Sequence, residues 1–293
     1  SEDIRAMQTS PKTLQRVSGF GLVVALTIVS LCPPARAGHA IVGRKHAPIE
    51  VVRDFNGDAM RTLDNQAQST NWSGYVLPKF ETKQHYTSAQ ATWVVPAVKS
   101  QGIESFSSSW LGIGGYCKNA KCRHADRTLI QLGTEQDSAA DGSTQYYSWY
   151  EMLPAFSIPT TLAVNPGDTM TVSLNCAGKC RGKQSWTLAM TDETTGGTWS
   201  KTFTYRASKL SVEWIQEAPT ISGRIAPLAD FGTAVFSKSI ANGASANLNS
   251  GDSVIMLNAN GQTSNVSTPD STLDGFSACW GSGGILTSCF PTS

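Results

Sequence analysis

The sequence predicts an all-β protein, an antiparallel two-sheet β-sandwich of the jelly-roll type, and three observations lead to this prediction. Short segments rich in Val, Thr, Tyr and Trp recur from residue 71 onward, separated by Gly, Pro, Asn, Asp and Ser. No segment after residue 70 keeps apolar residues at helical spacing over three turns. Hydrophobic residues make up 40% of the 293 positions, which is enough for a large core. We therefore expect one domain over residues 70–293.

The expected strands follow one another along this domain. Each is a run of β-branched and aromatic residues bounded by turn-forming residues. In chain order they are NWSGYVL, ATWVVP, TLIQLG, QYYSWYEM, TMTVSL, SWTLAMT, KTFTY, SVEWIQE, TAVFS and SVIML.

The N-terminal region is typical of an exported protein. Lys12 and Arg16 precede an apolar run over residues 19–32, and small residues follow at Ala35 and Ala37. This pattern predicts a signal peptide over residues 1–37, and an uncleaved membrane anchor is the alternative. Residues 38–69 are mixed in charge without a sustained period, so they form either a flexible leader or a removable pro-segment. We expect a secreted, extracellular protein with no membrane contact once the signal peptide is removed.

Charge excludes some classes of partner. The chain has 23 basic and 22 acidic residues, and no stripe of Lys or Arg is present. Because phosphate backbones are bound through basic surfaces, we expect no nucleic-acid partner. Charged residues make up only 15% of the chain, as in many secreted β-proteins.

Cysteine usage agrees with export. Of seven cysteines, Cys32 lies in the signal peptide and six remain. These six fall into three close couples, which predicts three local disulfides, Cys117–Cys122, Cys176–Cys180 and Cys279–Cys289. A zinc site is the alternative, but the couples lack the C-x-x-C spacing and only His124 lies near one of them. We expect no metal and no cofactor.

Strand alternation predicts a polar, aromatic surface on one side of a sheet. Successive side chains of a strand point to opposite faces. One face would carry Ser108, Trp110 and Gly112; Leu129, Gln131 and Gly133; Tyr147, Trp149 and Glu151; and Ser211, Glu213 and Ile215. The other face would carry the core residues Leu111, Ile113, Ile130, Leu132, Tyr150, Met152, Val212 and Trp214. The first face has the composition of a concave cleft.

Common catalytic motifs are missing. The chain has no H-E-x-x-H, no G-x-S-x-G and no D-T-G or D-S-G pair. Beyond residue 69 only His85 and His124 remain, and we expect both to be surface residues. Catalysis would then depend on carboxylates, amides and hydroxyls.

Eight segments together resemble a known family. NWSGYV, ATWVVPAV, SSSWLGIGG, LIQLGTEQD, YYSWYEMLP, VNPGDTMTVSL, VEWIQEAP and PLADFGTAVF occur in the order and near the spacing of the glutamic peptidases, the eqolisin or G1-type group formerly classed as A4 pepstatin-insensitive acid proteases. The resemblance implies a concanavalin-like sandwich of two antiparallel sheets. It also implies a catalytic pair, Gln131 and Glu213, with substrate contacts from Trp110, Trp149 and Glu151. The implied partner is a protein or peptide substrate, and we expect a monomer.

The chemistry of such a pair is plausible from its residue types. Amide hydrolysis needs a base for water, a donor for the oxyanion and an acid for the leaving amine. A glutamate supplies the base and then the acid, whereas a glutamine amide donates hydrogen bonds without titrating. Desolvation by Trp110 and Trp149 would raise the pKa of Glu213, which favours activity at acidic pH. Glu151 and Glu217 are the competing candidates for the base.

Two departures from the family pattern are visible. Family members commonly have an aspartate after W-x-G-I, where this chain has Gly114, and an insertion with Cys117 and Cys122 follows. The near-neutral charge also favours a milder operating pH than that of the very acidic fungal members. Two other functions stay open: a secreted carbohydrate-binding, lectin-like sandwich without catalysis, and a catalytically inactive relative.

Overall fold

The strands agree closely with the alternating sequence pattern. The structure is a computed structural model and describes residues 44–291. Within that range the strands are β1 (Arg44–Lys45), β2 (Ala67–Ser69), β3 (Trp72–Pro78), β4 (Ser88–Val94), β5 (Ser105–Gly114), β6 (Leu129–Ser138), β7 (Thr144–Met152), β8 (Ile158–Pro159), β9 (Thr169–Ala177), β10 (Gln184–Asp192), β11 (Thr198–Tyr205), β12 (Ser211–Glu217), β13 (Thr220–Ile221), β14 (Arg224–Ile225), β15 (Thr233–Ala241), β16 (Ala244–Ser245), β17 (Ser253–Leu257), β18 (Thr263–Val266) and β19 (Phe276–Gly281). Helical structure in the described chain is limited to α1 (Lys79–Thr82) and a 3₁₀ turn, Ser250–Asp252.

The strands form a β-sandwich, as the sequence predicts. Across residues 44–291 one continuous hydrogen-bonded path runs β11-β10-β9-β4-β15-β19-β18-β17-β3-β12-β5-β6-β7-β8. The path folds into two layers, so that β4 and β9 lie against β5 and β15 lies against β12. Neighbouring strands are antiparallel apart from β2, which pairs in parallel with β17.

The main core lies between the two layers. Leu111, Ile130, Leu132, Val212 and Trp214 are all fully buried there. These residues alternate with the cleft-facing residues of the same strands, because successive side chains of a strand point to opposite faces. The predicted division of each strand into a core face and a cleft face is therefore correct.

The disulfides have the predicted pairing. Within the described residues, the bonds are Cys117–Cys122, Cys176–Cys180 and Cys279–Cys289. The first closes a loop in the insertion between β5 and β6, and the last ties the C-terminal segment to β19.

Residues 44–69 pack against the domain. Isolated bridges join Val51 to Ser69 and Arg61 to Ala67, and β2 extends the sheet beside β17. The alternative of a flexible leader therefore does not fit residues 44–69, and the sheet begins before the expected domain boundary at residue 70. The predicted signal peptide, residues 1–37, and residues 38–43 lie outside the described residues. None of the helices within residues 44–291 has the length and hydropathy of a membrane span.

Candidate active site

Four adjacent strands bring the predicted catalytic residues into one row. In the register of β12, β5, β6 and β7, Glu213 lies opposite Gly112, Gly112 opposite Gln131, and Gln131 opposite Glu151. All four point to the same face because directly paired residues of antiparallel strands share a face. Gln131 and Glu213 are thus two strands apart, about 10 Å between backbones at the usual strand spacing.

Gly112 leaves the space between the two catalytic candidates open. A Cβ atom at this position would lie 2.7 Å from Cζ3 of Trp110 and 3.0 Å from Oε1 of Glu213. The Glu213 carboxyl and the Trp110 ring therefore extend over the glycine. Any larger residue at this position would crowd the Glu213 carboxyl and the Trp110 ring.

The floor of the cleft continues in two further rows. The next row lies two residues along the strands from the first, and its paired residues are Ile215, Trp110, Gly133 and Trp149. Two residues further, the row consists of Glu217, Ser108, Glu135 and Tyr147. The indole Nε1 of Trp110 donates to Glu217 Oε2 at 2.8 Å, and that of Trp149 donates to Ser108 Oγ at 3.0 Å. These bonds fix both indole rings on the cleft floor.

Residues 44–49, which precede the predicted domain, cover this floor and form the covering segment. The His46 imidazole stacks on Trp149 with ring centroids 3.5 Å apart and an interplanar angle of 5°. Its backbone N–H donates to Glu151 Oε2 at 2.9 Å, and its carbonyl accepts from Gln131 Nε2 at 2.7 Å. His46 Nδ1 lies 3.0 Å from Glu217 Oε2. A stretch of main chain therefore occupies the cleft with one carbonyl held by the predicted catalytic amide.

The segment then continues across the sheet towards β3. Trp72 Nε1 donates to the carbonyl of Ala47 at 3.1 Å, and Asn71 Nδ2 donates to that of Pro48 at 3.1 Å. The N–H of Ile49 donates to the Gly115 carbonyl at 3.1 Å. Residues 44–49 are thus bound largely through main-chain atoms, as a peptide substrate would be.

Glu213 is held in an environment that favours its neutral form. It is fully buried, and within residues 44–291 neither of its carboxyl oxygens has a hydrogen-bond partner. Burial raises its pKa well above the ordinary value and outweighs the opposing effect of the Ser211 side chain, and the charge of Asp126 raises the pKa further. Burial in the covered cleft therefore favours the protonated form of Glu213.

Burial also shifts the pKa values of the other titratable residues in the cleft. Burial raises the pKa of Glu151 to about 8, although the N–H of His46 donates to it. Burial also raises the pKa of Glu217, with the charge of Glu151 adding to the effect. The pKa of His46 is lowered by burial and by the positive charge of Arg44. The covered cleft thus favours neutral carboxyls and a neutral imidazole.

The structure brings together the five predicted site residues, Gln131, Glu213, Trp110, Trp149 and Glu151. Trp149 and Glu151 contact the covering segment directly, whereas the indole N–H of Trp110 is bonded to Glu217. His85 and His124 are exposed, as expected.

Some site residues were missed by sequence reasoning. Arg44 and His46 lie in the supposed leader, and Glu135 and Asp137 lie on β6 beyond the residues assigned to the cleft face. The alternation Gln131, Gly133, Glu135, Asp137 would have placed both acidic residues on that face if it had been followed to the end of the strand. Nothing in the local sequence signals that His46 folds back over Trp149.

Gly114 has a structural explanation. Its φ is +97°, and a Cβ would lie 2.2 Å from the Thr128 carbonyl oxygen, so no side chain fits. That Cβ position is 3.4 Å from Oδ2 of Asp126, which belongs to the insertion. A carboxylate from the insertion therefore lies beside the position where the family pattern has an aspartate.

Comparisons with known proteins concern the family and the fold of the chain. The model of the Peptidase A4 family matches residues 70–277. Aspergillopepsin-2 of Aspergillus niger is 24% identical over 245 residues, covering 76% of this chain and 82% of the relative. The crystal structure of scytalido-glutamic peptidase with a transition state analog inhibitor has a TM-score of 0.54 at 21% identity, covering 72% of this chain and 98% of that one. The structural similarity confirms the fold.

Proposed function

The chain belongs to the Peptidase A4 family, the glutamic peptidases, and we propose that it is a secreted endopeptidase that uses Glu213 and Gln131 as its catalytic pair. One observation carries the proposal: Gln131 Nε2 donates to a main-chain carbonyl in a cleft whose same row contains Glu213. The substrates are proteins or peptides outside the cell, cleaved by a monomer at acidic pH.

Each step follows from the chemistry of the two side chains. With substrate in the cleft, ionised Glu213 takes a proton from a water molecule, which attacks the scissile carbonyl carbon. Gln131 Nε2 donates to the carbonyl oxygen as negative charge develops there. Glu213 then gives its proton to the leaving nitrogen, and the C–N bond breaks to form an acid and an amine.

Residues 38–69 act as a pro-segment in this proposal. Residues 44–49 of this segment fill the cleft and hold the Gln131 amide, so a substrate cannot bind at the same position. Water is also kept from Glu213, whose raised pKa opposes its action as a base. Displacement or removal of the segment admits both water and substrate.

A lectin-like binding module is the weaker interpretation. It would account for aromatic residues on a concave face. It gives no reason for the Gln131 amide and the Glu213 carboxyl to lie in one row on either side of Gly112 in a chain of the Peptidase A4 family. Trp110 and Trp149 are also fully buried beneath the segment and bonded through their indole N–H groups.

The decisive experiment is incubation of the secreted protein with a denatured protein substrate from pH 2 to 8, with and without pepstatin. We expect cleavage at acidic pH that pepstatin does not inhibit. N-terminal sequencing of the same sample identifies the first residue of the active form. Absence of cleavage at every pH, from a sample whose N-terminus lies beyond residue 49, would overturn the proposal.

A further inference from the structure

Positive charge is concentrated on one surface of the molecule, which we call the basic surface. It consists of four segments, residues 79–85, 115–128, 177–183 and 206–210. Together they contain eleven Lys and Arg residues and only two acidic residues, Glu81 and the buried Asp126. Nine of the eleven basic side chains are exposed. The rest of residues 44–291 contains eight basic and eighteen acidic residues, so the near-neutral chain separates its charges.

Tertiary contacts join the four segments into one surface. Residues 206–210 lie at its centre and bond to each of the other three segments. The bonds run from the Lys79 N–H to the Leu210 carbonyl at 2.7 Å, from the Ser208 N–H to Thr128 Oγ1 at 2.9 Å, and from Lys209 Nζ to the Cys180 carbonyl. Because the four segments are far apart in the chain, the sequence shows no stripe of Lys or Arg although the fold creates a basic surface.

The chain that leaves the cleft crosses the insertion, which forms part of this surface. The Ile49 N–H donates to the carbonyl of Gly115, where the insertion begins, at 3.1 Å. Nine residues after Ile49, Asp58 Oδ1 lies 3.6 Å from Arg123 Nε in the insertion. The Arg123 side chain is still 63% exposed. Residues 49–58 thus trace a path for a polypeptide from the cleft to the basic surface, with a carboxylate at its end.

A basic surface next to a cleft selects for negative charge. Exposed charges of one sign attract a flexible chain of the opposite sign and increase its rate of association. Nucleic acids and acidic polysaccharides are also polyanions, but the path of residues 49–58 is that of a polypeptide continuous with the cleft, and this favours a protein partner.

We infer that the basic surface is a docking site for an acidic stretch of the protein substrate, located on the C-terminal side of the bond that is cleaved. The side follows from the direction of residues 44–58, which pass from the Gln131 amide at His46 to Arg123 at Asp58. This inference rests on the proposed function and names the class of substrate that the enzyme prefers.

Three substrates with one core test the docking site through cleavage. The core spans a bond that the secreted protein cleaves, and a short Gly-Ser spacer joins it to six Glu after the core, six Glu before it, or six Gln after it. At pH 5.5 and about 50 mM salt we expect kcat/KM to be about tenfold higher with Glu after the core than for the other two, through a lower KM. At about 300 mM salt the three values should agree to within about twofold, because salt screens exposed charges.

Substitutions assign this preference to the basic surface. Lys118→Gln together with Lys121→Gln removes two exposed charges from the insertion and should reduce the preference about threefold or more. Lys99→Gln together with Lys238→Gln removes the same charge from exposed residues outside the basic surface and should leave the preference unchanged. Both variants should cleave the six-Gln substrate at the unsubstituted rate, which also shows that they fold.

Binding to a chain without turnover separates the docking site from the peptidase activity. The basic surface is exposed while residues 44–49 occupy the cleft, so the full chain carrying Glu213→Gln can be titrated with labelled six-Glu and six-Gln peptides that lack the core. We expect the Glu peptide to bind about tenfold more tightly or better. Lys118→Gln together with Lys121→Gln should weaken its binding about threefold or more. An acidic oligosaccharide is titrated in the same way.

Each outcome decides one of the two proposals. Equal kcat/KM for Glu before and after the core, a preference that survives Lys118→Gln with Lys121→Gln, or equal affinity of the Glu and Gln peptides would overturn the docking site. Tighter binding of the oligosaccharide without an effect of Glu on cleavage would assign the surface to a carbohydrate and overturn it as well. Binding of the Glu peptide without cleavage of any core would support the docking site and overturn the peptidase proposal, whereas cleavage without an effect of Glu would do the reverse.

Discussion

At the scale of single residues, the proposed mechanism depends on which side chain can exchange a proton and which can only form hydrogen bonds. Glu213 can take and return a proton, and its carboxyl oxygens have no partner within the described chain. Gln131 can only donate and accept hydrogen bonds, and its Nε2 is already bonded to a main-chain carbonyl. The proposed roles of the two residues therefore differ, proton transfer for Glu213 and hydrogen-bond donation for Gln131.

Glu213→Gln should abolish turnover and leave the fold intact, because the amide keeps the shape of the side chain but cannot take a proton from water. Turnover of a denatured protein and thermal unfolding are measured together. Glu151→Gln and Glu217→Gln are the matched controls and should lower turnover less. If Glu213→Gln retained activity and one of the other two were inactive, the base would be wrongly assigned.

Gln131→Ala should lower kcat about 10²-fold, the usual effect of losing one oxyanion donor, with a smaller change in KM. Steady-state kinetics on one peptide substrate measure both values. Gln131→Glu adds a carboxylate to the row that contains Glu213 and Glu151 and should shift the pH profile of kcat/KM through coupled titration. An unchanged kcat in Gln131→Ala would exclude Gln131 as the oxyanion donor.

At the scale of elements, β5 lies between β12 and β6, and Gly112 leaves the space beside the Glu213 carboxyl open. A Cβ at Gly112 meets side-chain atoms of Trp110, Leu129 and Glu213, which can shift. Gly112→Ala should therefore displace the Glu213 carboxyl and lower kcat about 10²-fold, with little loss of stability.

Gly133→Ala is the matched comparison on β6. Its Cβ would lie 2.4 Å from the backbone oxygen of Ser109, so the strand itself must move, and we expect a loss of about 1–3 kcal/mol in the free energy of unfolding. Urea unfolding and kinetics of both variants distinguish the two effects. Equal stability losses would contradict the different roles given to the two glycines.

The covering segment is a second element with a testable anchor. Arg44→Met breaks a buried ion pair on one side only, which typically costs about 3–5 kcal/mol, so residues 44–49 should open more often. Hydrogen exchange at the His46 amide should become faster. Lys183→Met removes the same charge from an exposed residue of a distant loop and should change the exchange rate little.

At the scale of the whole molecule, the covered cleft makes stability depend on pH. Burial raises the pKa of Glu151 from 4.5 to about 8, so the unfolded chain releases this proton at a lower pH than the folded chain. The free energy of unfolding should therefore fall as pH rises across this window. His46 has the opposite shift, but its contribution is confined to pH values below about 6.5, its ordinary pKa.

Urea unfolding of the full chain at pH 6.5 and pH 8 should show lower stability at pH 8. Each unit of pKa shift corresponds to about 1.4 kcal/mol, so Glu151→Gln should reduce the difference by a measurable amount. Glu193→Gln, an exposed carboxylate, should leave it unchanged. Stability that rises between pH 6.5 and pH 8 would contradict a neutral Glu151 in the covered cleft.

The sequence by itself determined the β-sandwich, the division of each strand into core and cleft faces, and the disulfide pairing. These features are local: alternation decides the face of each residue, and cysteines four to ten positions apart can bond only across short loops. The motifs also predict Gln131 and Glu213 as the catalytic pair, since each is marked by its own neighbours, and this assignment stays a prediction. Only the tertiary structure decided what lies over them. Arg44 and His46 meet Asp137 and Glu217 across 93 and 171 residues of chain, and no local pattern encodes a contact made by folding a separate segment into a cleft.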